Sequence, residues 1–117
     1  MSDMTKATDR ELLELAAKAA GLQTWPEGYC DLLGVSVLAS DGMPDHHWNP
    51  LERNDEALWL AVKLQLLVDV AYAHVEVRGQ GQNEFTEPTG TDPLAATRRA
   101  IVRSGAEIGR AAKALGQ

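Results

Sequence analysis

Arginine dominates the one stretch of this sequence best equipped to make specific contacts, TRRAIVRSGAEIGR near the end of the chain. A guanidinium is a planar fork of donors that matches carboxylate and phosphate geometry. On a helix advancing about 100° per residue, Leu94, Thr97, Ile101, Gly105, Ile108, Ala112 and Leu115 fall on one side. Arg99, Arg103 and Arg110 fall near the opposite pole, with Lys113 nearby. Arg98 sits roughly 60° from the centre of the apolar stripe, placed to lean over a sheet edge and pair with a carboxylate of the body. Glu107 is the only acid on this helix, within one turn of both Arg103 and Arg110.

The charge is unevenly distributed. Residues 1–92 hold sixteen acids and six bases, whereas residues 93–117 hold one acid and five bases, within a net charge of −6. Two readings follow. The more economical is a solvated helix face that counterweights an acidic body, because exposed charge costs little. The second is a contact surface for an acidic protein or a small anionic ligand, for which four arginines against one lysine suit the geometry better than mere solubility would.

Trp59, in LWLAVK, is the other candidate contact residue. It lies one turn from both Asp55 and Lys63, and a Trp on such a mixed face suits a partner groove or a homodimer seam. Packed under the preceding loop, it would instead be purely structural. Asp45, His46 and His47 beside Asp41 are metal ligands by type. Adjacent histidines on an extended segment point to opposite faces, however, so the group reads as a polar hairpin tip and not a metal site. Cys30 has neither a CxxC partner nor a basic neighbour and reads as a buried structural thiol. His74 offers general-base chemistry in principle only. No nucleophile elbow, phosphate-binding glycine loop or paired-carboxylate spacing is present. The expectation is a non-enzymatic protein with no catalytic residues and no cofactor.

The elements that must carry these residues are legible in outline. A polar tail over 1–7 precedes one domain over 8–117. TDRELLELAAKAAG is a helix with Thr8 and Glu11 at capping-box spacing, Leu12, Leu15, Ala16 and Ala19 inward, and Gly21 as its stop. GVSVLAS reads as a strand and Asp41-Gly42 as a turn, with a return strand around HHW in which Trp48 is core. A second helix starts at Asn54 as N-cap, with Leu58, Ala61, Val62 and Leu64 inward. In LLVDVAYAHVEVRG the valines change parity, which predicts a β-bulge near Ala71 to His74. EFTEP pairs back as a fourth strand. Asp92-Pro93 then opens the last helix. The order αββαββα predicts an α+β fold, a three-layer α/β/α sandwich with a four-stranded, largely antiparallel sheet and three helices. No internal repeat is visible.

At 117 residues with 44% hydrophobic content, this is one ordinary globular domain. Its acidity argues against a general polyanion binder. One cysteine suits a reducing compartment, MSDMTKATDR carries no secretory signal, and no apolar run is long enough to span a bilayer. A cytoplasmic location without membrane contact is expected.

Three blocks, TDRELLELAAKAAG, WNPLERNDEALWLAVKL and DPLAATRRAIVRSGAEIGRA, appear in an order that resembles the phage ABA sandwich domain family, small proteins of tailed bacteriophages and prophages. The resemblance implies a three-layer sandwich and an infected bacterial cell as the setting. It brings no catalytic mechanism. Trp59 departs from the polar or basic residue typical of similar sequences, and HVEVRGQGQNEFTE matches no family pattern. The resulting expectation is an accessory protein that binds a host or phage protein or a ligand, as a host-defence or host-takeover inhibitor. The alternative is a nucleotide or nucleic-acid binder, a signalling-nucleotide sponge or replication accessory, using the arginine row.

Overall fold

Nine elements follow one another in the computed structural model, which describes residues 9–22, 30–31, 34–38, 44–79 and 83–114. They are α1 (Asp9–Ala19), β1 (Cys30–Asp31), β2 (Gly34–Leu38), β3 (Pro44–Trp48), α2 (Asn54–Lys63), β4 (Leu67–Val70), β5 (His74–Arg78), β6 (Glu84–Pro88) and α3 (Pro93–Ala114). The fold is α+β with three helices, as expected. The strands differ from expectation. Instead of one four-stranded sheet they form two antiparallel three-stranded sheets, β1-β2-β3 and β4-β5-β6.

The extra strand of the second sheet comes from the parity change among the valines. Val70 stands opposite Val75, and Val68 opposite Val77. The chain reverses through Ala71-Tyr72-Ala73, closed by the Ala71 amide donating to the His74 carbonyl at 2.9 Å. A bulge is therefore not needed. Directly paired residues of an antiparallel hairpin share a face, so Val68, Val70, Val75 and Val77 all point the same way.

Comparison of the two sheets reveals a structural repeat that residue identities conceal. Cys30 opposite Val35 matches Val70 opposite Val75. Val35 opposite Trp48 and Val37 opposite His46 match Val75 opposite Glu87 and Val77 opposite Phe85. Each sheet leads into a helix, Asn54 of α2 corresponding to Pro93 of α3. The chain is thus α1 followed by two βββα units, which share little beyond the paired valines of their central strands.

In the second sheet the rows Val68–Val77–Phe85 and Val70–Val75–Glu87 face α3, and Val75 and Val77 are fully buried there. The rows Leu67–Arg78–Glu84 and Asp69–Glu76–Thr86 form the opposite face. It is exposed except at half-buried Glu76, and no described helix covers it. Among the described residues the second helical layer of the expected three-layer arrangement is not seen on this sheet, whose outer face is mostly charged and polar. Among the described residues, no helix is long and apolar enough to cross a membrane.

Helix α3 is the hub, packing on β5 and β6 and also against α1 and α2. Leu12, Leu13, Ala16 and Ala17 of α1 meet Ala100, Ile101, Val102 and Ala106 of α3 in the core. The approach is close. A methyl group at Gly109 would overlap the Leu15 carbonyl, and one at Gly105 would press on Leu64 and Ala16 at 3.2 and 3.3 Å. Helix α1 ends in a Schellman motif, with Leu22 donating to Ala17 at 2.9 Å and Gly21 at φ 81°. Helix α2 ends the same way on Leu66 and Ala61, but there the left-handed position is Gln65, at φ 57°.

Candidate functional site

Helix α3 places Arg99, Arg103 and Arg110 on its more exposed arc, and each of them has a carboxylate partner within the chain. Arg99 donates to Asp9 of α1 at 2.9 Å, and Arg110 donates to Glu107 one turn back at 2.6 Å. Arg103 pairs with Glu87 of β6 and lies over the Phe85 ring, 4.8 Å from its centroid. Phe85 and Glu87 alternate on the inner face of β6, so one strand supplies both the anion and the aromatic platform.

Among the described residues Arg98 reaches no carboxylate. Its Nε donates to the Leu51 carbonyl at 2.8 Å, and Nη1 donates to the Asn54 carboxamide oxygen at 2.7 Å. Asn54 is not the expected N-cap; it is the first residue of the helix, and its side chain accepts from Arg98. The N-cap of α2 is Arg53, in extended backbone and without a side-chain cap. The opening turn is held instead by Glu56, which reaches back to accept from the Asn49 amide at 2.6 Å, and by Asp55, which accepts from the Glu56 amide at 3.0 Å. The Trp48-Asn49-Pro50-Leu51 turn is accordingly structural: Trp48 and Pro50 are buried, and the Asn49 side chain accepts from the Leu51 amide at 3.2 Å.

The arginines are therefore the ties of the fold. Arg98 fastens α3 to the start of α2, Arg99 fastens it to α1, and Arg103 fastens it to β6. A fourth tie is reciprocal: Asn83 donates to the Ser104 carbonyl and the Ser104 hydroxyl donates to Asn83, both at 2.9 Å. Ser104 is fully buried, so this pairing satisfies a hydroxyl that would otherwise be costly. Phe85 and Glu87 went unnoticed as partners in the sequence, although their alternation in EFTEP is the signal that would have found them.

Helix α2 shows the converse. Leu58 and Val62, expected inward, are 65% and 68% exposed, with Trp59 between them at 43%. Ala57, Leu60 and Ala61 are the residues that pack inward. The helix is rotated because the glycine at 105 on α3 admits Leu60 and Leu64, which places the 58–62 edge outside. Leu58, Trp59 and Val62 thus make a continuous apolar strip one turn apart along α2, bounded by Asp55 and Lys63, both exposed.

No family model, curated protein or solved structure matches the chain.

The remaining cluster lies on the outer face of the second sheet. Arg78 contacts Glu76 at 3.2 Å and Glu84 at 3.3 Å. The Glu76 carboxyl lies below its ordinary range because it is hydrogen-bonded to Glu84 and also to Arg78. Glu84 lies above its ordinary range because its proton is retained in that bond to Glu76 and by the neighbouring negative charge. At the start of α2, the Arg53 guanidinium holds Asp55 below the usual carboxylate range. Among the described residues no three His, Cys, Asp or Glu side chains converge as a metal site would require. Asp45, His46 and His47 have their backbone in β3 and Cys30 has its backbone in β1. Their side chains, like Thr8 and Asp41, lie outside the described residues.

Proposed function

We propose that this chain is a small non-enzymatic accessory protein of a tailed bacteriophage or prophage, related to the phage ABA sandwich domain proteins. It acts inside the infected cell by protein–protein contact, as an inhibitor of host defence or an agent of host takeover. The observation that carries this reading is the strip Leu58–Trp59–Val62 on α2. A solvent-facing Trp flanked by two exposed aliphatics is the composition of an interface anchor, and the polar residues at either end make a rim.

The arginine row gives less support to the alternative, nucleotide or nucleic-acid binding. Arg99, Arg103 and Arg110 each face a carboxylate, so an incoming phosphate would have to displace an anion already in place. Arg98, half-buried, is spent on Leu51 and Asn54. The row reads best as the counterweight to an acidic body, built in as specific ties.

The test is affinity purification of the tagged protein from infected cells, followed by binding of each purified partner to defined variants. Trp59→Glu abolishes partner binding while the circular-dichroism spectrum and melting temperature are retained. Arg110→Glu, at the most exposed of the three arginines Arg99, Arg103 and Arg110, leaves binding unchanged. Binding that survives Trp59→Glu but is lost with Arg110→Glu, and that weakens steeply with salt, would move the contact to α3.

A further inference from the structure

We infer that the partner seated on the α2 strip is a second copy of this chain, forming a two-fold symmetric dimer in which α2 packs antiparallel against its mate. This rests on the reading of α2 as the contact face and names its occupant.

Charge is the first observation. The N-terminal end of α2 carries Glu52, Asp55 and Glu56 with Arg53, a negative balance, and the C-terminal end carries Lys63. Asp55 and Lys63 lie equally far, one turn, on either side of Trp59. A two-fold axis passing beside Trp59 therefore sets each Lys63 opposite the acidic end of its mate. It also opposes the two helix dipoles and brings the two Trp59 rings together at the centre, where an offset aromatic pair is favourable. Leu58 and Val62 flank that centre on each copy. The strip is self-complementary, as an isologous interface requires. A parallel pairing would instead set Asp55 against Asp55 and Lys63 against Lys63.

The repeat supplies the second observation. Since Asn54 corresponds to Pro93, the positions Leu58, Trp59 and Val62 correspond to Thr97, Arg98 and Ile101 on α3. On α3 this is a packing face: Ile101 is buried, and Arg98 lies half-buried against Leu51 and Asn54. The same face of the first repeat is apolar and uncovered. A helix of about 15 Å offers a small contact, at the low end of specific interfaces, below about 1,200 Å² in total. The dimer is therefore concentration-dependent and not obligate.

Sedimentation velocity of the purified full chain over a wide concentration series tests this. The expected result is a shift from the mass of one chain to that of two as concentration rises, absent in Trp59→Glu at unchanged melting temperature. Lys63→Glu and Asp55→Lys each weaken self-association, and an equimolar mixture of the two forms a heterodimer more readily than either associates with itself. A single-chain mass at every concentration overturns the dimer, as does self-association indifferent to Trp59→Glu. A monomer that still loses a purified cellular partner on Trp59→Glu defeats the dimer and leaves α2 as a contact face. A monomer whose partner binding ignores that substitution defeats both.

Discussion

The guanidinium of Arg103 lies over the ring of Phe85, 4.8 Å from its centroid, while its tip engages Glu87 on the same strand. Glu87 is only 15% exposed, so the pair is a link between α3 and the sheet and not a surface ornament. Replacing Arg103 by Ala strands a largely buried carboxylate and removes the stacked cation. The expected loss is about 1–3 kcal/mol of unfolding free energy in urea. Arg103→Lys keeps the charge but loses the planar fork and is expected to fall between the two. An unchanged stability for Arg103→Ala would mean the tie is dispensable.

Gly109 faces the Leu15 carbonyl so closely that any Cβ there overlaps it. The Gly109→Ala variant must push α1 away from α3, against the helix propensity that Ala would otherwise add. A loss of about 2–3 kcal/mol is expected, with a lowered melting temperature as the readout. A stabilised variant would show that α1 and α3 do not approach along this line.

Gln65 occupies a left-handed backbone position at the end of α2, at φ 57°, where the equivalent residue after α1 is a glycine. Relieving the Cβ conflict by Gln65→Gly is expected to stabilise the fold by about 1 kcal/mol. Thermal or chemical denaturation reads this directly. Destabilisation would mean that Gln65 leaves the left-handed region in solution.

The carboxyls on the outer sheet face titrate apart. Glu84 holds its proton above the ordinary glutamate range and Glu76 loses its proton below it. The signs of the linkage are opposite. Whatever stability Glu84 contributes is present below the ordinary glutamate pKa and lost as pH rises through its raised value. That of Glu76 is present above the ordinary value and lost as pH falls through its depressed one. Carboxyl carbon shifts followed by NMR are expected to show Glu76 ionising at lower pH than Glu84. In the Glu76→Gln variant Glu84 is expected to return toward the ordinary range. Coincident midpoints in the parent protein would remove the shared hydrogen bond.

What the sequence reveals of this architecture depends on how local each cause is. Asp92-Pro93 announces the start of α3 because capping is decided within one turn, and the Asp92 side chain does accept from the Ala95 amide at 3.0 Å. The reversal at Ala71-Tyr72-Ala73 is hidden because none of those residues is a turn former. It is fixed instead by the pairing of strands that bury Val75 and Val77. In LWLAV every residue is apolar, so periodicity cannot choose which side of α2 faces inward. The choice is made by the space above Gly105. Glu107, the partner of Arg110, lies one turn away on the same helix and is legible from the wheel. The partners of Arg99 and Arg103 lie on other elements, Asp9 on α1 and Glu87 on β6, and a helical wheel does not disclose them. The repeat escapes notice because it conserves register and element order and not residue type.

Self-association through α2 is tested most directly by amide NMR spectra of the isotopically labelled protein recorded as its concentration is raised. Shift changes are expected to concentrate on residues 54–63 and on the Trp59 indole, and to leave the amides around Arg99, Arg103 and Arg110 in place. Spectra that do not change, or changes centred on the arginines of α3, would contradict the α2 dimer.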